Sequence, residues 1–231
     1  MTRYRYSFNE DYFAEIDTEG KAYWLGYILA DGSVMTRKSK SSRHYGLALQ
    51  SIDLELLEKF KRDIDYTGPI KTRSKGGSFD NSKPGHYLVI NRMSLSSQLL
   101  KYKVDSSCIH MPEVEESLVR HLIRGIFDGD GSVYSWVANE TQKTKWGTYH
   151  YKRFMMEASI IGCEPLLSNI EAYLSACGIK TRRKKSRTPW MNYLVVSNKP
   201  DLHLLRKLFY EGSSIYLQRK FDKWHNTPPL S

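Results

Sequence analysis

Two rhythms of apolar residues alternate along this chain. Stretches with apolar positions three and four apart read as helices, and stretches alternating every second residue read as strands. The pattern predicts a helix ending at Asp31-Gly32, strands near 33–37 and 45–52, a helix over 53–64, strands over 70–75 and 86–91, and a helix over 95–102. The succession then restarts: a helix ending at Asp130-Gly131, strands near 132–138 and 148–161, a helix over 164–176, strands over 179–187 and 193–197, and a helix over 202–210. Each half reads αββαββα, the pattern of an α+β unit on an antiparallel sheet.

The residues themselves repeat as well. Gly68-Pro69-Ile70-Lys71-Thr72-Arg73 returns as Gly178-Ile179-Lys180-Thr181-Arg182, and Tyr87-Leu88-Val89-Ile90-Asn91 as Tyr193-Leu194-Val195-Val196-Ser197. The offset is 99 residues from Asp31 to Asp130, 109 from Ile70 to Ile179 and 106 from Tyr87 to Tyr193. The second copy therefore carries about ten extra residues, within 134–153, which predicts a longer hairpin there and an asymmetric footprint. The expected organisation is a first repeat over 1–103, a linker over 104–116 marked by Pro112, and a second repeat over 117–231 ending in a frayed tail.

Charge narrows the function. The 231 residues hold 35 Lys and Arg against 25 Asp and Glu, a net charge of +10, which calls for a polyanionic partner such as nucleic acid or a membrane surface. No stretch is apolar enough to span a bilayer, and residues 1–10 lack the apolar run of a secretory signal. Cys108, Cys163 and Cys177 fit neither a zinc motif nor a disulfide framework, so reduced thiols are expected. An intracellular location follows, in cytoplasm, nucleoid or an organelle. The seven histidines are dispersed without metal-ligand spacing.

The first helix of each copy carries the candidate chemistry. Gly26 and Ala30 are four apart, as are Gly125 and Gly129. Small residues at that spacing share one helix face and let two backbones approach closely. Each helix then ends in an acid, Asp31 or Asp130, although a helix C-terminus disfavours a further negative charge. If the helices lie side by side, the two carboxylates and the last carbonyls make a cluster of hard oxygens suited to Mg²⁺. Two acids with divalent cations beside a phosphodiester are the parts of a metal-dependent nuclease. Asp-Gly also closes ordinary hairpin turns, but two such pairs in register, each after a small-xxx-small helix, point to a shared role. An EF-hand is excluded, because the loop starting at Asp128 has Val133 at position six and Asn139 at position twelve.

Basic residues recur with period two on predicted strands: Lys71, Arg73 and Lys75 in the first copy, Lys180, Arg182 and Lys184 in the second, with Arg183, Lys185 and Arg187 alongside. Arg37, Lys38, Lys40 and Arg43 populate the first hairpin, and Tyr134, Trp136, Lys143, Lys145, Tyr149, Tyr151 and Arg153 the second. A two-stranded ribbon fits the DNA major groove, with some side chains reading base edges and others fixing phosphates.

Trp24-Leu25-Gly26-Tyr27-Ile28-Leu29-Ala30-Asp31-Gly32 and Ile123-Arg124-Gly125-Ile126-Phe127-Asp128-Gly129-Asp130-Gly131 both resemble the LAGLIDADG motif of homing endonucleases, and the order of elements resembles the single-chain, double-motif members over essentially the whole chain. The resemblance implies two pseudo-symmetric αββαββα repeats whose sheets form a DNA-binding saddle, and cleavage of both strands of a long pseudo-palindromic site. It implies that Asp31 and Asp130 bind metal, helped by the carbonyls of Ala30 and Gly129. The metal would be Mg²⁺ or Mn²⁺, with Ca²⁺ binding without supporting cleavage. It further implies a lysine near the metals after each half's last helix, matched by Lys220 beside Arg219 and, less evidently, by Lys103, and a polar residue near the waters at Gln50. Leu29 departs from the motif where Asp128 keeps its acid. The expected protein is a monomeric, Mg²⁺-dependent endonuclease of double-stranded DNA engaged in intron homing. The alternative is a non-cleaving binder on the same scaffold, an intron RNA maturase or a transcription regulator.

Overall fold

A computed structural model describes residues 5–36, 45–74, 84–102, 104 and 110–225. It is an α+β protein with two four-stranded antiparallel sheets and, among the described residues, seven helices. The chain divides into two compact units, Met1–Gly129 and Asp130–Ser231. The second motif helix falls in the first compact unit because it packs on the first motif helix.

The first unit begins with α1 (Glu19–Asp31). Thr18 caps it by accepting from the Lys21 amide, and Glu19 in its first turn suits the positive end of the helix dipole. Strands β1 (Gly32–Met35) and β2 (Gly46–Ser51) follow, then α2 (Leu54–Asp63), β3 (Lys71–Arg73), β4 (Gly85–Ile90), α3 (Met93–Lys101) and α4 (Glu116–Asp130). The sheet order is β1-β2-β4-β3. Leu47, Leu49, Leu88 and Ile90 line the sheet face that packs against α2 and α3, and all four are buried. Trp24 is fully buried and donates its indole N–H to Asp63 at 2.6 Å, tying α1 to the end of α2.

Glycines decide how α1 meets α4. A methyl group on Gly26 would overlap the Leu122 carbonyl oxygen, and one on Gly125 would overlap the Tyr23 carbonyl oxygen. The offset of 99 residues maps Gly26 onto Gly125 and Tyr23 onto Leu122, so these are one contact written twice. The two backbones touch at a distance that admits no side chain, as the small-residue spacing predicts.

The second unit holds β5 (Gly131–Thr144), β6 (Gly147–Gly162), α5 (Glu164–Ala176), β7 (Arg182–Lys185), β8 (Asn192–Val196), α6 (Lys199–Tyr210) and α7 (Gln218–His225), with sheet order β5-β6-β8-β7. Its core sets Met156, Ala158, Ile160 and Leu194 with Leu167 and Ile170 of α5 and Leu205 and Phe209 of α6. β5 and β6 pair from Gly131↔Ile160 out to Thr144↔Gly147, whereas β8 meets β6 only over Ala158–Gly162. From Tyr134 outward the hairpin is thus a two-stranded ribbon, the long hairpin expected from the extra residues. α7 packs against β5, where the sequence reading assigns no helix. No helix among the described residues is long and apolar enough to cross a membrane.

Candidate active site

Asp31 is the last residue of α1 and is exposed, and the Gly32 amide donates to the Ile28 carbonyl to finish the helix. Tyr27, one turn back and nearly fully buried, hydrogen-bonds to the Asp31 carboxyl and to Ser51. Burial first, and then the charge of Asp31, push the Tyr27 hydroxyl well above its ordinary pKa. It stays a neutral hydroxyl that steadies the acid. Gly129 is equally constrained: a methyl there would overlap the Cβ of Ala30 and stand 3.6 Å from the Asp31 carboxyl carbon. Only glycine admits the α4 backbone so close to the end of α1, and Asp130 is the next residue.

Among the described residues no three His, Cys, Asp or Glu side chains gather into a metal cluster. A cation at these helix ends would draw on carboxylate and main-chain oxygens and complete its shell with water or an anionic substrate, a hard-oxygen donor set that suits Mg²⁺ or Ca²⁺ rather than a soft metal.

Along the contact between α1 and α4, back from these ends, lies a polar network that sequence reasoning missed. Arg124 on α4 is completely buried; it donates to Glu19 at 2.7 Å and to Nδ1 of His121 at 2.8 Å, and its guanidinium lies 5.4 Å from the centre of the Tyr23 ring. Tyr23 donates its hydroxyl to Asp128 at 2.9 Å. Burial, then the neighbouring Arg124 charge, lower the His121 pKa to about 4, so its ring is neutral and its 3.8 Å approach to Glu19 is not an ion pair. The overlooked signal was the repeat itself, which puts Leu25 opposite Arg124 just as it puts Leu29 opposite Asp128.

In the first sheet one face carries Ala48, Gln50, Tyr87 and Val89, with Lys71 and Arg73 at its edge. Lys71, Arg73 and Gln50 are exposed, and Arg73 stacks on Tyr87 at 4.4 Å. Gly32 pairs with Leu49, which places Gln50 one rung beyond the start of β1, beside the end of α1. The candidates Arg37, Lys38, Lys40, Arg43, Lys75 and Lys103 lie outside the described residues.

In the second sheet the pairing puts Tyr134, Trp136, Tyr149, Tyr151 and Arg153 on the same face as Arg182 and Lys184. Tyr134 stacks on Trp136 at 5.4 Å, and both basic side chains lean on Glu157, Arg182 at 3.0 Å and Lys184 at 3.9 Å. Lys180 and Arg187 are exposed just outside β7, and Lys145 lies at the ribbon's turn over Trp146. Lys143 points to the opposite face, as do Lys185 and Arg183. Arg183 is bound to α5 through Glu171 at 2.9 Å, a carboxylate held below its usual pKa chiefly by the Thr181 hydroxyl and then by Arg183. Strand alternation separates Arg183 from its neighbours, so it serves the core side of the sheet. Lys220 sits on α7 and is buried, not on an open segment. At the position matching Gln50 the second sheet has Ile161, because Gly131 pairs with Ile160.

Comparison with known proteins agrees with this architecture. Residues 19–99 match the family model of the LAGLIDADG-like domain. An uncharacterized protein of Methanocaldococcus jannaschii is 27% identical over 135 residues, a match spanning 58% of this chain and 46% of that protein's own length. The chain resembles the crystal structure of the meganuclease I-SmaMI bound to uncleaveable DNA, at 17% identity and a TM-score of 0.58, over 89% of this chain and 88% of that one. It resembles I-SmaMI bound to uncleaved DNA target in the presence of calcium ions, at 16% identity and a TM-score of 0.57, over 91% and 90% of the two chains. It also resembles the I-LtrWI LAGLIDADG homing endonuclease bound to target DNA, at 13% identity and a TM-score of 0.60, over 95% and 89%. At these identities the likeness establishes the two-repeat fold.

Proposed function

Since residues 19–99 are a LAGLIDADG-like domain and the chain has the two-repeat meganuclease fold, we propose that this protein is a sequence-specific endonuclease of double-stranded DNA. The observation that carries the reading is the pair of acids that end α1 and α4, with Gly129 pressed against Ala30 and Asp31. Asp31 and Asp130, with the carbonyls of Ala30 and Gly129, would hold divalent cations, Mg²⁺ in the working enzyme. Bound cations would activate water and neutralise charge on the scissile phosphate.

The rest of the work falls to the chain. Tyr27 holds the Asp31 carboxylate, and Gln50 would order water at that end. Lys220 would stabilise charge from the second repeat. The aromatic and basic sheet faces would follow the DNA, with Lys71, Arg73, Arg153, Arg182 and Lys184 on phosphates or base edges. The DNA-bound state of I-SmaMI and I-LtrWI supports a duplex partner. The repeats within one chain support a monomer.

The test is cleavage of a randomised duplex library with Mg²⁺, followed by sequencing of the cut ends. Asp31→Asn and Asp130→Asn are each expected to reduce double-strand cleavage by about 10³-fold or more while duplex affinity persists. Full cleavage by either variant refutes the shared-metal mechanism. A wild-type protein that binds duplex DNA with affinity falling as salt rises, yet never cuts, points instead to a non-cleaving regulator or maturase.

A further inference from the structure

The β5–β6 ribbon sorts its side chains by face more sharply than strand propensity requires. Tyrosine and tryptophan favour strands on either face. Yet every one in these two strands, Tyr134, Trp136, Tyr149 and Tyr151, falls on the same face, because Trp136 pairs with Met155 and Gln142 with Tyr149. The opposite face carries Asn139, Thr141, His150 and Lys152 at the matching height. Burial does not account for the sorting. Tyr134, Tyr149 and Tyr151 are 56%, 53% and 46% exposed, and Trp146 at the turn is 79% exposed. Tyr134 and Trp136 lie flat on each other, with planes 24° apart, so part of the ring surface is set before anything binds.

Rings with open faces need a partner with open faces. A duplex shows only base edges in its grooves. An unpaired strand lays its bases flat on aromatic side chains, and each stacked base is worth about fivefold or more in affinity. Tyr149 and Tyr151 stand two residues apart on β6, about 7 Å along the strand. That is twice the ~3.4 Å step between bases, so one base fits between neighbouring rings. Cations stand along the same face from tip to root: Lys145 at the turn, Arg153 in the middle, Arg182 and Lys184 beyond. The acids of the two strands on this face are Glu140 and Glu157, and Glu157 is already held by Arg182 and Lys184. We infer that this face of the ribbon is a stacking platform for an unpaired DNA strand. The ring faces select unpaired over paired bases, and the interleaved cations select nucleic acid over an apolar partner. The choice of DNA over RNA rests on the DNA substrate proposed above.

The test titrates the full chain, without divalent metal, with a fluorescein-labelled oligothymidylate of about 20 nucleotides, longer than the roughly 4–16 that single-strand modules cover. A duplex and an oligouridylate of the same length are titrated in parallel. The wild type is expected to bind oligothymidylate, and its tryptophan fluorescence to fall as bases stack on Trp136 and Trp146. Y149A/Y151A is expected to weaken oligothymidylate binding by about tenfold or more and duplex binding by less than about threefold. Y149F/Y151F keeps both rings and is expected to stay near the wild type. Equal loss on both DNAs, no oligothymidylate binding by the wild type, or tighter binding of oligouridylate overturns the inference. If Y149A/Y151A loses its fold by circular dichroism, the wild-type fluorescence decides: no fall with oligothymidylate, or an equal fall with duplex, overturns it. Binding is read without metal, so a chain that never cuts leaves the inference standing. A chain that cuts duplex DNA yet ignores oligothymidylate refutes the inference alone.

Discussion

The two sheets were built on one plan and have diverged in what they offer. Among the described residues, the first has a β1 of four residues (Gly32–Met35) and presents Lys71, Arg73 and Gln50 on an exposed face. The second extends β5 and β6 to 14 and 16 residues and presents Tyr134, Trp136, Tyr149, Tyr151 and Arg153 on a ribbon with strand neighbours on neither side. Register has slipped too. The residue paired with Tyr87 is Lys71, but the residue paired with its counterpart Tyr193 is Lys184, not the repeat match Lys180. A slip of four residues keeps every side chain on its face, because strand alternation has period two. Duplication preserved the backbone frame and the direction of each face, while the chemistry displayed on it was free to change.

The contact between α1 and α4 teaches the same lesson in the core: one side holds Glu19, Tyr23, Arg124 and Asp128, and the positions that match them in the repeat are the buried Leu118, Leu122, Leu25 and Leu29. There the frame is stricter, and the strictest positions give the largest expected effects. Gly125→Val is expected to abolish the folded state, with a loss on the order of 5 kcal/mol, because the new side chain must displace the Tyr23 backbone. Thermal and urea denaturation would reveal it, and a cooperative melt near that of the wild type would mean that the two backbones can separate at little cost. Arg124→Leu leaves Glu19 without its buried cation and is expected to cost about 3–5 kcal/mol, read as a lower urea midpoint. Leu25→Met, on the apolar side of the same pair, is expected to cost about 1 kcal/mol. Similar losses from the two changes would erase the contrast between the sides.

His121 makes the polar side sensitive to pH. Its folded pKa is lowered to about 4 from an ordinary 6.5, so between those values the unfolded chain binds more protons than the folded one. Stability therefore falls as pH drops from about 6.5 toward 4, by on the order of 2 kcal/mol from this group, and the group adds no further slope below that. Melting temperatures across that range should flatten in His121→Gln. An unchanged slope would exclude this imidazole as the source.

The smallest effects separate the faces of the second sheet. Arg182→Ala is expected to weaken duplex binding a few-fold and to lower the salt slope by about one phosphate contact. Arg183→Ala, on the face turned to α5, should cost stability by about 1 kcal/mol and leave the salt slope alone. The reverse result would assign the faces wrongly.

Much of this was written in the chain. The order of elements, the two glycine-containing helices and the long second hairpin follow from periodicity and from the repeat, which are local properties. The face of Arg182 and Lys184 was legible for the same reason, since alternation within a strand needs no partner. Other features were decided only by the tertiary structure. Arg183 binds Glu171, twelve residues away, and Lys220 is buried on a helix the sequence reading did not assign. Arg124 reads as one more surface cation in a basic chain until α4 lies on α1, where Glu19, 105 residues distant, becomes its partner. Composition and spacing fix which backbone elements form. Which charges are buried, and with whom, depends on contacts between residues far apart in sequence, and the energy of a charge is set by what surrounds it.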